Sequence, residues 1–474
     1  MINLIKNELF KLTHRVETYV LIIFAILVTI VINLMNYYFS QSNEKIYKQE
    51  LESIIEMNED LKNSAQSNEE KASYYAEIDM CRLKFNYPVN SAEKGYIDGK
   101  LNDLSNTMYY ELFANGADSE SYIEAKREYD EALDKLNHFD WKQEIKTEIQ
   151  EYQNMIDILS DSETISASTQ ADINYHKEIV RVLNYRLENN IPVDGSNASD
   201  NLEEYLENLG LYNTINKESV DYNEQVYKRQ VEETIGILKY KIDNRLIQED
   251  KNNNGYTTIS RELVSIVSGE SFLLVFVAIF IASMIIPMEF EKGTIRQLLV
   301  KPYTRTEILV SKIISTILYF IGFMLFYLLI NIIVLGLFVG FSTIAAPIVI
   351  YHFNTSQALQ VALVPYLLKC FVLVLPRFLL TMFIVNLFAI ITKSIVLSMY
   401  IGLMLNVIDL SFIQKPISKF WLPNCWDFNV FANGGISINK YVTLPSSIVV
   451  VCVVTVVVLL LSNIIFQKKE IKNQ

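Results

Sequence analysis

The chain has 474 residues, 51% of them hydrophobic, yet its formal net charge is -13. An apolar bulk with an acidic excess does not point to nucleic acid as a partner. Its four cysteines, Cys81, Cys370, Cys425 and Cys452, fall in no Cys-x-x-Cys spacing and make neither a disulfide framework nor a metal or redox motif. The charges are also segregated: acids outnumber bases between Gln41 and Ser265, and the rest of the chain is net basic.

Residues 1–17 read as an amphipathic helix on a membrane surface, with Ile5, Leu9 and Leu12 toward the lipid and Lys6 and Lys11 toward headgroups. The next segment, 18–40, contains the first membrane span, from Thr18 to Phe39. A bilayer core about 30 Å thick needs about 20 apolar residues of helix, because no water is present to satisfy the backbone. The span is too long for the apolar region of a secretory signal, and no Ala-x-Ala-like site follows it.

Residues 41–265 are rich in Glu, Lys, Asn and Tyr, poor in Gly and Pro, and apolar at three- and four-residue spacing, which predicts a mainly helical domain. One stripe is Tyr122, Tyr129, Leu133 and Leu136; a second is Trp141, Ile145, Ile149, Tyr152 and Ile156; a third is Tyr227, Val231, Leu238, Ile242 and Leu246. Turn residues around Asn86–Gly99 and Asn189–Ser199 predict inter-helix loops.

Residues 266–474 hold five further apolar stretches: Ser271–Met288, Ile313–Val339, Phe371–Ile391, Ile395–Ile413 and Ser446–Phe466. The expected fold is therefore an all-α integral membrane protein of six transmembrane helices, with a helical domain inserted between the first and second. Lys6, Lys11, Arg15, Lys292, Arg296, Lys301, Arg305, Lys312, Lys393, Lys468, Lys469 and Lys472 all fall on one side if the spans alternate. The positive-inside rule places that side, and both termini, in the cytoplasm, with 41–265 outside. Abundant Asn, Lys, Ile and Tyr suit an AT-rich bacterium, and the expected location is its plasma membrane.

No Walker A pattern occurs, and the four histidines, His14, His138, His176 and His352, are scattered. No catalytic, cofactor or metal site is legible. Charged residues inside spans are costly and functional by default. Arg377 and Asp409 are expected to form an intramembrane pair beside a kink at Pro376, with Asn331, Asn386 and Asn406 making inter-helix hydrogen bonds.

The most specific stretch is Glu289–Lys312, EFEKGTIRQLLVKPYTRTEILVSK. It resembles the connection between the second and third spans of ABC-2-type permeases: an acidic residue ending a helix, Gly-Thr, a short Leu-Leu helix, Pro, then Arg and Lys leading into the next span. The matching positions are Glu289, Gly293, Thr294, Leu298, Leu299, Pro302, Arg305 and Lys312, with Glu291 in the same acidic turn. The opening NELFKLTHR, Asn7–Arg15, is similar to the family's N-terminal helix, and Trp421, Pro423 and Trp426 fit its short outer re-entrant helices.

The resemblance implies a non-catalytic permease subunit of an exporter for a peptide, lipid-like or other amphiphilic substrate. It also implies a separate ABC ATPase that holds ATP-Mg, a second permease copy or paralogue, and contact with membrane lipids. The segment 289–312 would dock on the ATPase. Two other layouts remain open. One is a scaffold or secretion-accessory protein of the phage-infection-protein type that uses its helical ectodomain without an ATPase. The other is the macrolide-exporter type, which has four spans rather than six.

Overall fold

The computed structural model describes residues 1–161, 166–193, 196–215, 221–247, 258–269, 271–291, 303–346, 348–408 and 413–468, without the side chains of 36–43, 197, 339 and 343. The chain divides into two compact units. One comprises Met1–Leu34, Glu218–Ile237 and Thr257–Gln474; the other comprises Met35–Lys217 and Leu238–Tyr256.

The chain opens with α1 (Ile2–Thr13) and α2 (Val16–Leu61), whose Val16–Met35 portion is apolar enough to cross a membrane. The second unit continues through α3 (Asn68–Lys84), α4 (Ala92–Tyr96), a π-helical turn (Ile97–Leu101), α5 (Asn102–Asn115), α6 (Glu120–Asn137), α7 (Trp141–Ser160), α8 (Ala167–Glu188) and α9 (Asn197–Thr214), and takes the last residues of α10 (Tyr222–Asp243). Short polar residues start these helices. Ser67, Ser91, Ser119, Ser166, Ser196 and Asp140 each accept a hydrogen bond from a backbone N–H of the first turn. Such caps satisfy donors that the helix itself leaves unpaired.

The helical stripes bury as two local cores. Met80, Ile97, Leu101, Met108, Tyr129 and Leu136 form one among α3, α5 and α6. Ile145 and Ile149 of α7 meet Ile179 and Leu183 of α8 in the other. The third stripe divides: Val231 belongs to the first unit, Leu238 and Ile242 to the second, and Tyr227 is exposed. The expected loop over Asn86–Gly99 is helical from Ala92 onward, because the Ser91 cap starts a turn that buries Ile97 and Leu101.

The first unit resumes with α11 (Ile259–Ser268), α12 (Phe272–Met284), α13 (Pro287–Glu291), α14 (Arg305–Val339), an antiparallel hairpin of β1 (Ile348–His352) and β2 (Gln357–Val361) with Ile350 opposite Leu359, then α15 (Leu363–Thr392), α16 (Ile395–Val407) and α17 (Leu444–Lys468). The hairpin and α11 are additions to the sequence reading. Leu263 of α11 is buried with Ile259 against Leu335 of α14, and the Tyr351 ring lies on Gly236 too closely for a Cβ.

Among the described residues, five segments are long and apolar enough to span a bilayer: Val16–Met35, Phe272–Glu291, Arg305–Phe338, Leu363–Thr392 and Leu444–Lys468. The stretch expected as the fifth of six spans is helical over 13 residues, Ile395–Val407. At 1.5 Å per residue that is about 20 Å, shorter than the hydrocarbon core. Residues 409–412 lie outside the described chain.

Packing sets α12 at the centre of the first unit, where it contacts α14, α15 and α16. A Cβ on Gly402 of α16 would sit 2.6 Å from Val385 Cγ2 and 2.8 Å from Ile279 Cγ2, so a missing side chain permits that close approach. By contrast, Ile23, Leu27 and Val31 of α2 and Val449, Val453, Val456 and Leu460 of α17 are exposed. These apolar faces match a lipid solvent rather than water.

Candidate functional site

In α1, positions Leu4, Glu8 and Leu12 share one helical face and are all buried. This differs from the expected membrane-facing stripe of Ile5, Leu9 and Leu12. The face packs on α14, and Ser315 Oγ of α14 donates to the Ile5 carbonyl at 3.2 Å. Placing Glu8 on it takes a carboxylate out of water, which is strongly unfavourable unless partners are supplied.

Two cations, Lys312 and Lys11, meet it and share a second carboxylate, Glu289, which Arg15 also approaches. Lys312 Nζ of α14 lies 2.7 Å from Glu8 Oε2 and 3.4 Å from Glu289 Oε1 of α13. Lys11 Nζ bridges the same two acids, 3.1 Å from each, and Arg15 Nη2 stands 3.9 Å from Glu289. The Lys312, Glu8 and Glu289 side chains are 1%, 3% and 2% exposed, so these contacts are little screened by solvent. Burial works against a charge on Lys11, but Glu8 and Glu289 outweigh it and hold its pKa above the ordinary lysine value. Lys11 therefore points into the protein rather than to headgroups.

Local structure explains how each group arrives. Pro287 begins α13, where a missing N–H costs nothing, and the short turn presents Glu289 inward while Glu291 stays exposed. A capping box between Thr304 and Glu307 starts α14. Two turns on, Lys312 faces α1, while Arg305 at the helix start donates to the Gln467 carbonyl at 2.6 Å and Thr306 to Asn463 Oδ1 at 3.0 Å. The opening of α14 is thus tied to α1, α13 and the end of α17.

Of the residues singled out in the sequence, Glu289 and Lys312 meet directly, Arg305 lies two turns before Lys312 and bonds the end of α17 instead, and Glu291 faces solvent. Gly293, Thr294, Leu298, Leu299 and Pro302 lie outside the described residues. Glu8 was missed. Its signal was available in a charged residue on the apolar face of an amphipathic helix, between Leu4 and Leu12.

Arg377 of α15 has Asp427 at 3.6 Å and donates from Nη1 to the Gly269 carbonyl at 3.2 Å. Asp409, its expected partner, lies outside the described residues. Gly269 closes α11 at φ +91°, and a Cβ there would stand 2.6 Å from Val374 Cγ2. Among the asparagines, Asn331 and Asn386 donate within their own helices, whereas Asn406 reaches Thr381 Oγ1 of α15 at 3.4 Å. The segment after α16 folds as 3-10 turns, Pro416–Phe420, Leu422–Asn424 and Phe428–Gly434, with Trp426 buried against Leu380 and Phe383.

The chemistry available here is mechanical and electrostatic: a buried, cross-linked node joins the start of one long apolar helix to the end of another. The family model for ABC-2 family transporter proteins matches residues 2–471. No curated protein and no solved structure matches the chain.

Proposed function

The chain belongs to the ABC-2 transporter family, and we propose that within it this chain is the membrane-spanning permease of an ATP-driven exporter. ATP-Mg is bound and hydrolysed by a separate ABC ATPase subunit, which docks on the segment 289–312. Two permeases, identical or paralogous, flank the pathway. The cargo is a peptide, lipid-like or other amphiphilic molecule moved outward, in keeping with the apolar character of the helices. Both termini face the cytoplasm of a bacterial plasma membrane, the unit inserted after the first span lies outside, and α16 with the residues after it completes a sixth crossing.

The observation that carries this reading is the Glu8, Lys11, Glu289 and Lys312 node. It clamps α1, α13 and α14 together on both flanks of the segment 292–302. A push delivered there by nucleotide-driven closure moves the three helices as one body. It then passes to α12, which is packed on three neighbours and cannot deform continuously.

The test is purification of the chain from its native membrane in mild detergent, with identification of bound proteins and an ATPase assay. A stoichiometric nucleotide-binding subunit with ATP hydrolysis is expected. Its reproducible absence, without hydrolysis, would overturn the exporter assignment.

A further inference from the structure

The second unit contains a cavity of about 390 Å³ walled by α2, α3 and the run from α4 through the π turn into α5. That volume lies in the range of small-ligand sites. Leu51, Ile54 and Met80 give it an apolar wall.

The lining also carries charges balanced in sign. Asp98 pairs with Lys84, and with Lys94 at 3.6 Å, while Glu77 accepts from Asn58 Nδ2 at 3.0 Å. Two acids and two bases in the lining favour neither a simple anion nor a simple cation. They suit a ligand that carries both signs a short distance apart.

Two further observations mark the cavity as more than a packing fault. Tyr47 lines it, with Lys94 Nζ 5.1 Å from the ring centroid, and the Tyr47 hydroxyl is buried without a protein hydrogen-bond partner among the described residues. Burial foremost, then Asp98, Cys81 and Glu44, push that phenol up to about 12, so it stays protonated and able to donate. Buried polar atoms left unpaired are rare in native folds and call for a reason. Secondly, Asp98 stands on a π-helical turn, Ile97–Leu101, set into an otherwise α-helical run from Ala92 to Asn115. Such turns interrupt regular hydrogen bonding and gather at functional sites.

We propose that this cavity binds a zwitterionic amino acid or dipeptide with an apolar side chain. Its carboxylate is held by Lys94 and Lys84, its ammonium by Glu77, and its side chain lies against Leu51, Ile54 and Met80. The assignment stands on the second unit alone and is independent of the exporter reading.

Isothermal titration of the purified full-length chain in detergent tests it, with leucine and leucyl-leucine as probes and N-acetyl-leucine amide as the uncharged control. Saturable binding of leucine or leucyl-leucine is expected, with the control weaker by at least about tenfold. Tyr47→Phe and Glu77→Gln should each weaken binding several-fold while leaving the melting temperature of the chain unchanged. Tyr47→Phe deletes a single unpaired oxygen and Glu77 is exposed, so both variants should fold. The proposal is overturned if neither probe binds at millimolar concentration, if the uncharged control binds as tightly, or if both variants bind like the parent chain.

Discussion

Lys312 and Glu8 are 304 residues apart in the chain, yet Nζ and Oε2 meet at 2.7 Å with both side chains buried. Glu289 lies 3.4 Å from the same ammonium, so a single lysine gathers carboxylates from two different helices.

Removing that lysine should be costly. Lys312→Met leaves two buried carboxylates with reduced compensation, and the expected loss is about 3–5 kcal/mol of stability, the usual cost of breaking a buried ion pair from one side. Adding Glu8→Gln to Lys312→Met should recover part of it, whereas Glu291→Gln, at an exposed position, should be neutral. Melting of the detergent-solubilised variants followed by size exclusion measures this. Equal loss in the single and double variants would remove the pairing argument.

Glu289→Gln should uncouple at a smaller cost in stability than Lys312→Met, because Lys11 and Lys312 keep Glu8 as a partner. It keeps the shape of the side chain at the node but weakens its hold on Lys11, Arg15 and Lys312. Membrane insertion should persist while transport and nucleotide-stimulated hydrolysis fall by at least about tenfold, a change of about 1.4 kcal/mol in the coupling step. Transport at the parent rate would show that Glu289 has no part in coupling.

The contact between Gly402 and Val385 predicts a steric effect. Gly402→Leu must displace Val385 and Ile279, and overpacking of this kind costs about 1–3 kcal/mol. Gly322→Ala, where a Cβ meets nothing within 4 Å, should be neutral or slightly stabilising in the same melting assay. If the two substitutions behave alike, the close approach of α16 to α12 is not what holds the helices together.

The second unit should be acid-sensitive through Glu178. Its carboxylate meets Arg181 at 2.7 Å, the Tyr205 hydroxyl at 2.5 Å and Lys239 at 3.6 Å. Burial pushes this carboxyl up, but the hydrogen bonds from Arg181 and Tyr205 and the charges of Arg181 and Lys239 bring it below the ordinary carboxylate range. A depressed folded-state value gives stability that is fully present above about pH 4.3 and is lost as pH falls through the folded-state value. Limited proteolysis from about pH 5 downward should therefore show α8 and α9 opening more steeply with acid in the parent chain than in Glu178→Gln. The same acid dependence in both would assign the effect to other groups.

The apolar spans and the helical stripes were legible because each is a local pattern that one helix carries by itself. Ile145, Ile149 and Tyr152 follow the helical period, and their burial needs only a neighbouring helix. What escaped depends on distant partners. Glu8 looks like a solvated residue until Lys312 is folded beside it, and Asp427 became the partner of Arg377 through 3-10 turns that carry no periodicity. The β1–β2 hairpin is two five-residue strands in an apolar stretch, where length alone does not separate strand from helix. Within Glu289–Lys312, the family resemblance rested on residue spacing. It identified Glu289 and Lys312 as members of one segment but gave no sign that they bind α1.

The node also orders events in biosynthesis. At about 5–20 residues per second, Glu8 is polymerised roughly 15–60 s before Lys312. Throughout that interval the first apolar helix is made and the entire acidic unit is synthesised, while Glu8 has Lys11 of its own helix but not the Lys312 ammonium that ties α1 to α14. Docking of α1 is therefore a late, checkpoint-like step. A nascent chain stalled before Lys312 would retain an undocked amino-terminal helix, open to membrane quality-control proteases.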